Sequence, residues 1–202
     1  MKLYGMLDSL FVRRVAISLH YYGVAFENLP LSVFSDYAAF QRVNPVVKAP
    51  TLTLADGTTL MESNLILSYF EAQADAAHQL LPTQPQALAE DLRILGSALA
   101  AGEKAVQHIY EHRVRPEEKS HQPWIARVEE QLHAACAAWN GLIAERGWET
   151  RKVDQVAITS AVVWRFIQYM LPGVVASTQY PHLQRLTLQM EQLPVFSQYP
   201  HD

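Results

Sequence analysis

The chain has 202 residues, 50% of them hydrophobic and 18% charged, with a formal net charge of −4. That is enough apolar material for one large domain or two small ones, and it excludes a disordered chain. The charges are dispersed without a basic stripe, which argues against nucleic-acid and membrane-surface partners, and no apolar run nears the roughly 18–20 residues that span a bilayer.

The opening Met1-Lys2-Leu3-Tyr4-Gly5 reads as a strand start rather than a signal peptide. Leu10 to Tyr22 then spaces Phe11, Val15, Leu19 and Tyr22 along one helical face, with Arg13 and Arg14 on the other side. Gly23 stops this helix. Ala25 to Leu31 is extended, and Tyr37 to Arg42 forms a short helix before Asn44-Pro45. Thr51–Leu54 and Thr58–Met61 are strand-like runs joined by Ala55-Asp56-Gly57, a hairpin signal. Ser63 opens a helix with Leu65, Ile66, Tyr69 and Phe70 apolar. The order β-α-β-α-β-β-α defines an α/β lobe over residues 1–77, a parallel unit followed by an antiparallel hairpin.

Residues 78–85 form a linker that ends in Leu81-Pro82-Thr83-Gln84-Pro85, and strand signals stop there. Gln86 to about Glu111 is one long helix. A second begins at Pro116, with Glu117 and Glu118 in its first turn, and runs to about Glu145. A third spans Val153 to Tyr169, and a shorter fourth starts near Pro181. Residues 86–202 thus read as an all-helical lobe. One cysteine, Cys136, excludes an internal disulfide and points to a reducing compartment, the cytosol.

Three places in the first lobe carry chemistry. Ser9 stands at a helix start, where unpaired N–H groups and the helix dipole favour an anion. Its hydroxyl suits a thiolate, whose pKa such a site lowers from about 8.5 toward neutrality; it also suits a plain N-cap. In Lys48-Ala49-Pro50-Thr51, the proline is either a routine strand-start residue or a cis-proline that turns the Ala49 backbone toward a peptide-like ligand. Glu62-Ser63 lies at a strand-to-helix change. Ser63 and the helix start suit a carboxylate, and Glu62 an ammonium; a capping serine after a solvated acid is the structural alternative.

Together these stretches resemble the soluble glutathione transferase family, in its bacterial, serine-containing form. The resemblance is carried by Met1–Gly5 through Ser9, Val12-Arg13-Arg14-Val15, Asn44-Pro45-Val46-Val47-Lys48-Ala49-Pro50, and Asp56-Gly57 through Glu62-Ser63-Asn64-Leu65-Ile66. It implies a thioredoxin-like first lobe and a cis-proline at Pro50. It further implies that Ala49 pairs by backbone with the cysteinyl part of glutathione, that Glu62 and Ser63 hold the γ-glutamyl end, and that Lys48 lies near the tripeptide. Ser9 would activate the sulfur, with Tyr4 as the competing hydroxyl. An apolar acceptor pocket would draw on Ile109, Tyr110 and Trp164.

The implied activity is conjugation of the glutathione thiolate to a small, largely apolar electrophile, a detoxification chemistry with glutathione as co-substrate and no metal. Glutathione-dependent isomerisation, dehalogenation or peroxide reduction, and a non-catalytic association module, are the alternatives. The resemblance also implies a homodimer, one subunit's α/β lobe against the other's helical lobe; some branches lend an acid from the partner's long helix, where the nearest acid, Glu103, is left unassigned. The sequence departs from the family at the helix near Asp154, where Arg151 stands at the expected cap position and Thr150 is one residue off. His108 and His112, at i and i+4, read as a solvated face without a third metal ligand. Cys136, Trp139 and Trp148 read as packing residues.

Overall fold

A computed structural model describes residues 1–148 and 152–201. Thr150 and Arg151, weighed above as a helix cap, lie outside the described residues. The chain divides into two compact units, Met1–Leu81 with the segment from Gln192 onward, and Pro82–Glu191.

The first unit is built on β1 (Lys2–Tyr4), β2 (Glu27–Leu29), β3 (Thr51–Thr53) and β4 (Thr59–Met61). They form one sheet in the order β2-β1-β3-β4, with β1 parallel to β2 and the other pairs antiparallel. Helices α1 (Leu10–Tyr21), α2 (Tyr37–Val43) and α3 (Ser63–Glu71) complete the expected thioredoxin-like order. The Asp-Gly turn forms as its residues dictate: Leu54 N–H donates to the Thr58 carbonyl at 2.8 Å and Thr58 N–H to Asp56 Oδ1 at 2.9 Å. Leu3, Val12, Ile17, Phe40, Leu52 and Ile66 form the centre of the core and are fully buried.

The structure corrects the reading of α1. Val15, Leu19 and Tyr22 are buried as expected, but Arg13 and Arg14 are buried too. The cause is a neighbour that periodicity does not reveal. A short helix α8 (Pro194–Gln198), absent from the sequence reading, packs on α1, as do α3 and β1. Arg13 Nε donates to the Tyr199 carbonyl at 2.7 Å and Nη2 to that of Phe196 at 3.4 Å, while its guanidinium lies 5.6 Å from the Phe196 ring centre. The C-terminal segment, expected within the helical lobe, therefore belongs to the first unit.

The second unit contains α4 (Pro85–Arg113), α5 (Gln122–Arg146), α6 (Gln155–Met170) and α7 (Pro181–Met190). The helix expected from Pro116 is broken: Glu117–Lys119 makes one 3-10 turn, and α5 starts only at Gln122, with a proline in its first turn. Trp139 and Trp164 meet edge-to-face at 6.1 Å; their indole N–H groups donate to Ser160 Oγ (3.1 Å) and Gln184 Oε1 (2.9 Å). Trp164 is thus a core residue of this unit.

Asp154 is itself the N-cap of α6, accepting from Ala157 N–H at 2.9 Å, and its other oxygen accepts from Arg146 Nη2 at 2.9 Å. Arg146 also forks onto Asp91 at 2.9 and 2.8 Å, tying α4, α5 and α6 through one buried guanidinium. The solvated-face reading of His108 is likewise wrong. Its ring is buried and its Nε2 is bonded to Glu129 at 2.7 Å, while His112 Nδ1 donates to the His108 carbonyl. Among the described residues no helix is long and apolar enough to cross a membrane.

Cys136 is fully buried in α5, and burial pushes its thiol up to about 12. The fold keeps the proton that the unfolded chain releases above pH 9. This contribution to stability is complete below that pH and is lost as pH rises toward 12. Native protein at pH 8.5 should resist a thiol reagent that labels the urea-unfolded chain at once. Rapid labelling of the native protein would contradict this burial.

Candidate functional site

The site is assembled from three turns of the first unit. The first follows β1. Gly5 adopts φ +141°, and its N–H donates to the Leu29 carbonyl at 3.1 Å. A Cβ here would lie 2.5 Å from Val12 Cγ2 and 3.3 Å from the Ala49 Cβ. Glycine therefore lets the β1–α1 turn approach both α1 and the loop that ends in Pro50. Ser9 follows as the N-cap residue of α1, with φ −75° and ψ 120°. Its carbonyl accepts from Arg13 N–H at 2.9 Å, yet its hydroxyl makes no capping hydrogen bond. The first turn of α1 carries no acidic side chain. The positive end of the dipole thus meets a half-buried hydroxyl that the helix does not use. Tyr4, the rival hydroxyl, ends β1 opposite Thr51 and is also half-buried.

The second turn precedes β3. The Ala49–Pro50 peptide is cis, as the resemblance implied. Neither the N–H nor the carbonyl of Ala49 joins a backbone hydrogen bond among the described residues, so both remain available for an added strand. The buried amide of Asn44 holds this loop. Its Nδ2 donates to Thr51 Oγ1 at 2.9 Å, its Oδ1 accepts from Val46 N–H at 3.0 Å, and Thr51 Oγ1 donates to the Lys48 carbonyl at 2.6 Å. Lys48 is exposed. Val47 within the loop is held at φ +53°, a conformation a β-branched residue adopts only under constraint. Asn44 stood in the motif noted above but was given no role, because an Asn before Pro reads as an ordinary turn residue.

The third turn opens α3, and it does not form the alternative of a capping serine after a solvated acid. The N-cap is Glu62, not Ser63. Glu62 sits at φ +75°, and its carboxylate accepts from Asn64 N–H at 3.1 Å, Leu65 N–H at 3.2 Å and the Ser63 hydroxyl at 3.3 Å. Ser63 is buried as the first helical residue. Behind it lies Arg14 of α1, whose Nη1 donates to Ser63 Oγ at 3.2 Å and Asn64 Oδ1 at 2.9 Å. Burial lowers the Arg14 guanidinium to about 10, against the opposing pull of Glu62, so it stays charged at neutral pH. The sequence reading put Arg14 on the side of α1 away from its apolar residues; hydropathy alone cannot distinguish a solvated arginine from one buried against polar acceptors.

This geometry has matches among known proteins. Residues 3–78, most of the first unit, match the family model "Glutathione S-transferase, N-terminal domain". Over these residues the first unit is similar to a glutathione S-transferase N-terminal domain. The chain is 29% identical over 194 residues to the GST-like protein YibF of Escherichia coli (strain K12), a protein of uncharacterised function, covering 92% of this chain and 91% of that one. A glutathione transferase family member from Pseudomonas fluorescens Pf-5, solved with bound glutathione, is 26% identical, with a TM-score of 0.86 and coverage of 100% and 98%. The glutathione S-transferase of Methylobacillus flagellatus KT, solved with glutathione bound, shares the fold at a TM-score of 0.88 and 21% identity, covering 98% of both chains.

Of the six site residues that the resemblance implies, Lys48, Ala49 and Pro50 lie on one loop, and Glu62 and Ser63 lie at the start of α3. Gly5 brings the turn that carries Ser9 against Ala49. Gly5→Ala should cost about 2–4 kcal/mol through steric conflict with Val12 and the strain of a non-glycine residue at that φ. Urea denaturation measures this, and a change below about 0.5 kcal/mol would contradict the close approach described.

Proposed function

We propose that the protein is a glutathione transferase that conjugates the glutathione thiolate to a small, largely apolar electrophile. The observation that carries this reading is the Ser9 hydroxyl, half-buried at the positive end of α1 and unused by the helix. A thiolate beside it accepts a charge-assisted hydrogen bond and gains from the unpaired N–H groups of the first turn. Each unit by which the bound thiol's pKa falls reflects about 1.4 kcal/mol of such stabilisation.

The rest of the site would fix the tripeptide. The free N–H and carbonyl of Ala49 pair with the cysteinyl backbone beside cis-Pro50, and Lys48 reaches the tripeptide from the loop's exposed edge. Ser63 takes the γ-glutamyl carboxylate, and Glu62 swings from its cap to pair with the ammonium. The similar Pseudomonas fluorescens protein, solved with bound glutathione, supports glutathione as the ligand. Conjugation is favoured over isomerisation, dehalogenation and peroxide reduction because it asks only for a thiolate and a nearby electrophile. The setting proposed is the cytosol, where glutathione is reduced.

We also propose a homodimer. Leu65 (65% exposed) and Tyr69 lie one turn apart on α3, with Met61 exposed at the end of β4, an apolar face suited to a second copy.

With glutathione bound, Ser9→Ala should raise the thiol's pKa by roughly 1–2 units, read by thiolate absorbance, and depress turnover of a chromogenic electrophile near pH 6.5 by about tenfold or more. An unchanged titration would remove Ser9 from its role; the same loss in Tyr4→Phe alone would transfer that role to Tyr4. Leu65→Glu should shift the protein to monomer in light scattering, and a dimer unaffected by it would place the interface elsewhere.

A further inference from the structure

Arg14 is 2% exposed, and its hydrogen-bond acceptors are a hydroxyl and an amide oxygen rather than a carboxylate. Its Nε has no hydrogen-bond partner. A guanidinium taken out of water without a paired anion is costly, so the fold retains here a positive charge that packing alone does not need. That charge donates to the Ser63 hydroxyl, which in turn donates to the Glu62 carboxylate.

The hydroxyl of Ser63 has one proton and two acceptor lone pairs. Arg14 Nη1 occupies a lone pair at 3.2 Å, and the proton goes to Glu62 Oε1 at 3.3 Å. The Glu62 carboxylate thereby shows how an anion is received at this corner: from the Ser63 hydroxyl and from the N–H groups of Asn64 and Leu65. A ligand carboxylate would meet the same donors.

We propose that Arg14 is the positioning residue of this corner, donating to Ser63 Oγ and Asn64 Oδ1 so that the Ser63 hydroxyl is held as a hydrogen-bond donor toward the α-carboxylate of the γ-glutamyl group. The proposal rests on the glutathione reading above and extends it to a residue that does not touch the ligand. Its charge, retained at neutral pH, adds to the potential at the helix start without exposing a cation that would attract other anions.

The test compares glutathione with γ-aminobutyryl-cysteinylglycine, the same peptide without the α-carboxylate, by calorimetry on wild type, Arg14→Gln and Arg14→Lys. Wild type should bind glutathione at least tenfold more tightly than the analogue. In Arg14→Gln that ratio should fall to within about twofold, because only the affinity for the carboxylate-bearing peptide is lost; Arg14→Lys should retain an intermediate ratio. Weaker binding of both peptides with the ratio preserved in Arg14→Gln would show a packing role only and overturn the proposal. Should Arg14→Gln not fold, Arg14→Lys decides, since a wild-type ratio there would equally overturn it. A wild type that binds neither peptide at millimolar concentration would overturn the glutathione reading itself, a result distinct from an unchanged ratio.

Discussion

Burying α1 on several sides removes two adjacent guanidinium groups from water, and the first unit is arranged around their needs. Arg13 takes the carbonyls of Phe196 and Tyr199, and with them it ties the C-terminal segment into a unit whose other residues are Met1–Leu81. Arg14 takes Ser63 and Asn64, and so fixes where α3 begins. A buried cation tolerates little displacement of its partners, because an unpaired polar group in the interior costs more than a hydrogen bond returns. α1 is therefore the post to which both the C-terminal segment and the Glu62–Ser63 corner are tied.

The same helix sets the chemistry at its other end. Its first turn lacks an acid, and Ser9 leaves its hydroxyl unspent, so the positive end of the dipole stays available. At α3 the opposite holds: the helix start is already neutralised by Glu62, held at a positive φ to do so. On the proposed reading, the start of α1 would receive a thiolate that must remain reactive. The start of α3 would receive a carboxylate that must only be held, displacing the resident one. Backbone strain at Glu62 and at Val47 falls on the two turns that flank β3 and β4, as expected where a site and not the core dictates conformation.

Much of this was legible in the chain itself. Alternating strand and helix patterns, the Asp56-Gly57 turn and the Pro-bounded linker predict the α/β lobe and the helical unit, because local propensity and tertiary packing agree there. The positions of Ser9, Pro50, Glu62 and Ser63 were likewise readable from turn chemistry and family resemblance. What escaped depends on distant partners. The burial of Arg13 needs Tyr199, 186 residues away, and the second role of Asp154 needs Arg146. His108 looks solvated until Glu129 is brought beside it by α5. The five-residue α8 is too short to form without α1 to pack on. Glu62, not Ser63, caps α3, with Ser63 turned inward to Arg14, a preference that no capping scale contains.

The central claim is that this unit binds glutathione as its thiolate. Calorimetric titration of the wild-type protein with glutathione at pH 7, repeated in buffers of different ionisation enthalpy, counts the protons released on binding. A large fraction of one proton per site should leave the complex, because the thiol enters protonated and is held ionised beside Ser9. Binding heat that does not vary with the buffer, or no binding at millimolar glutathione, would contradict the account.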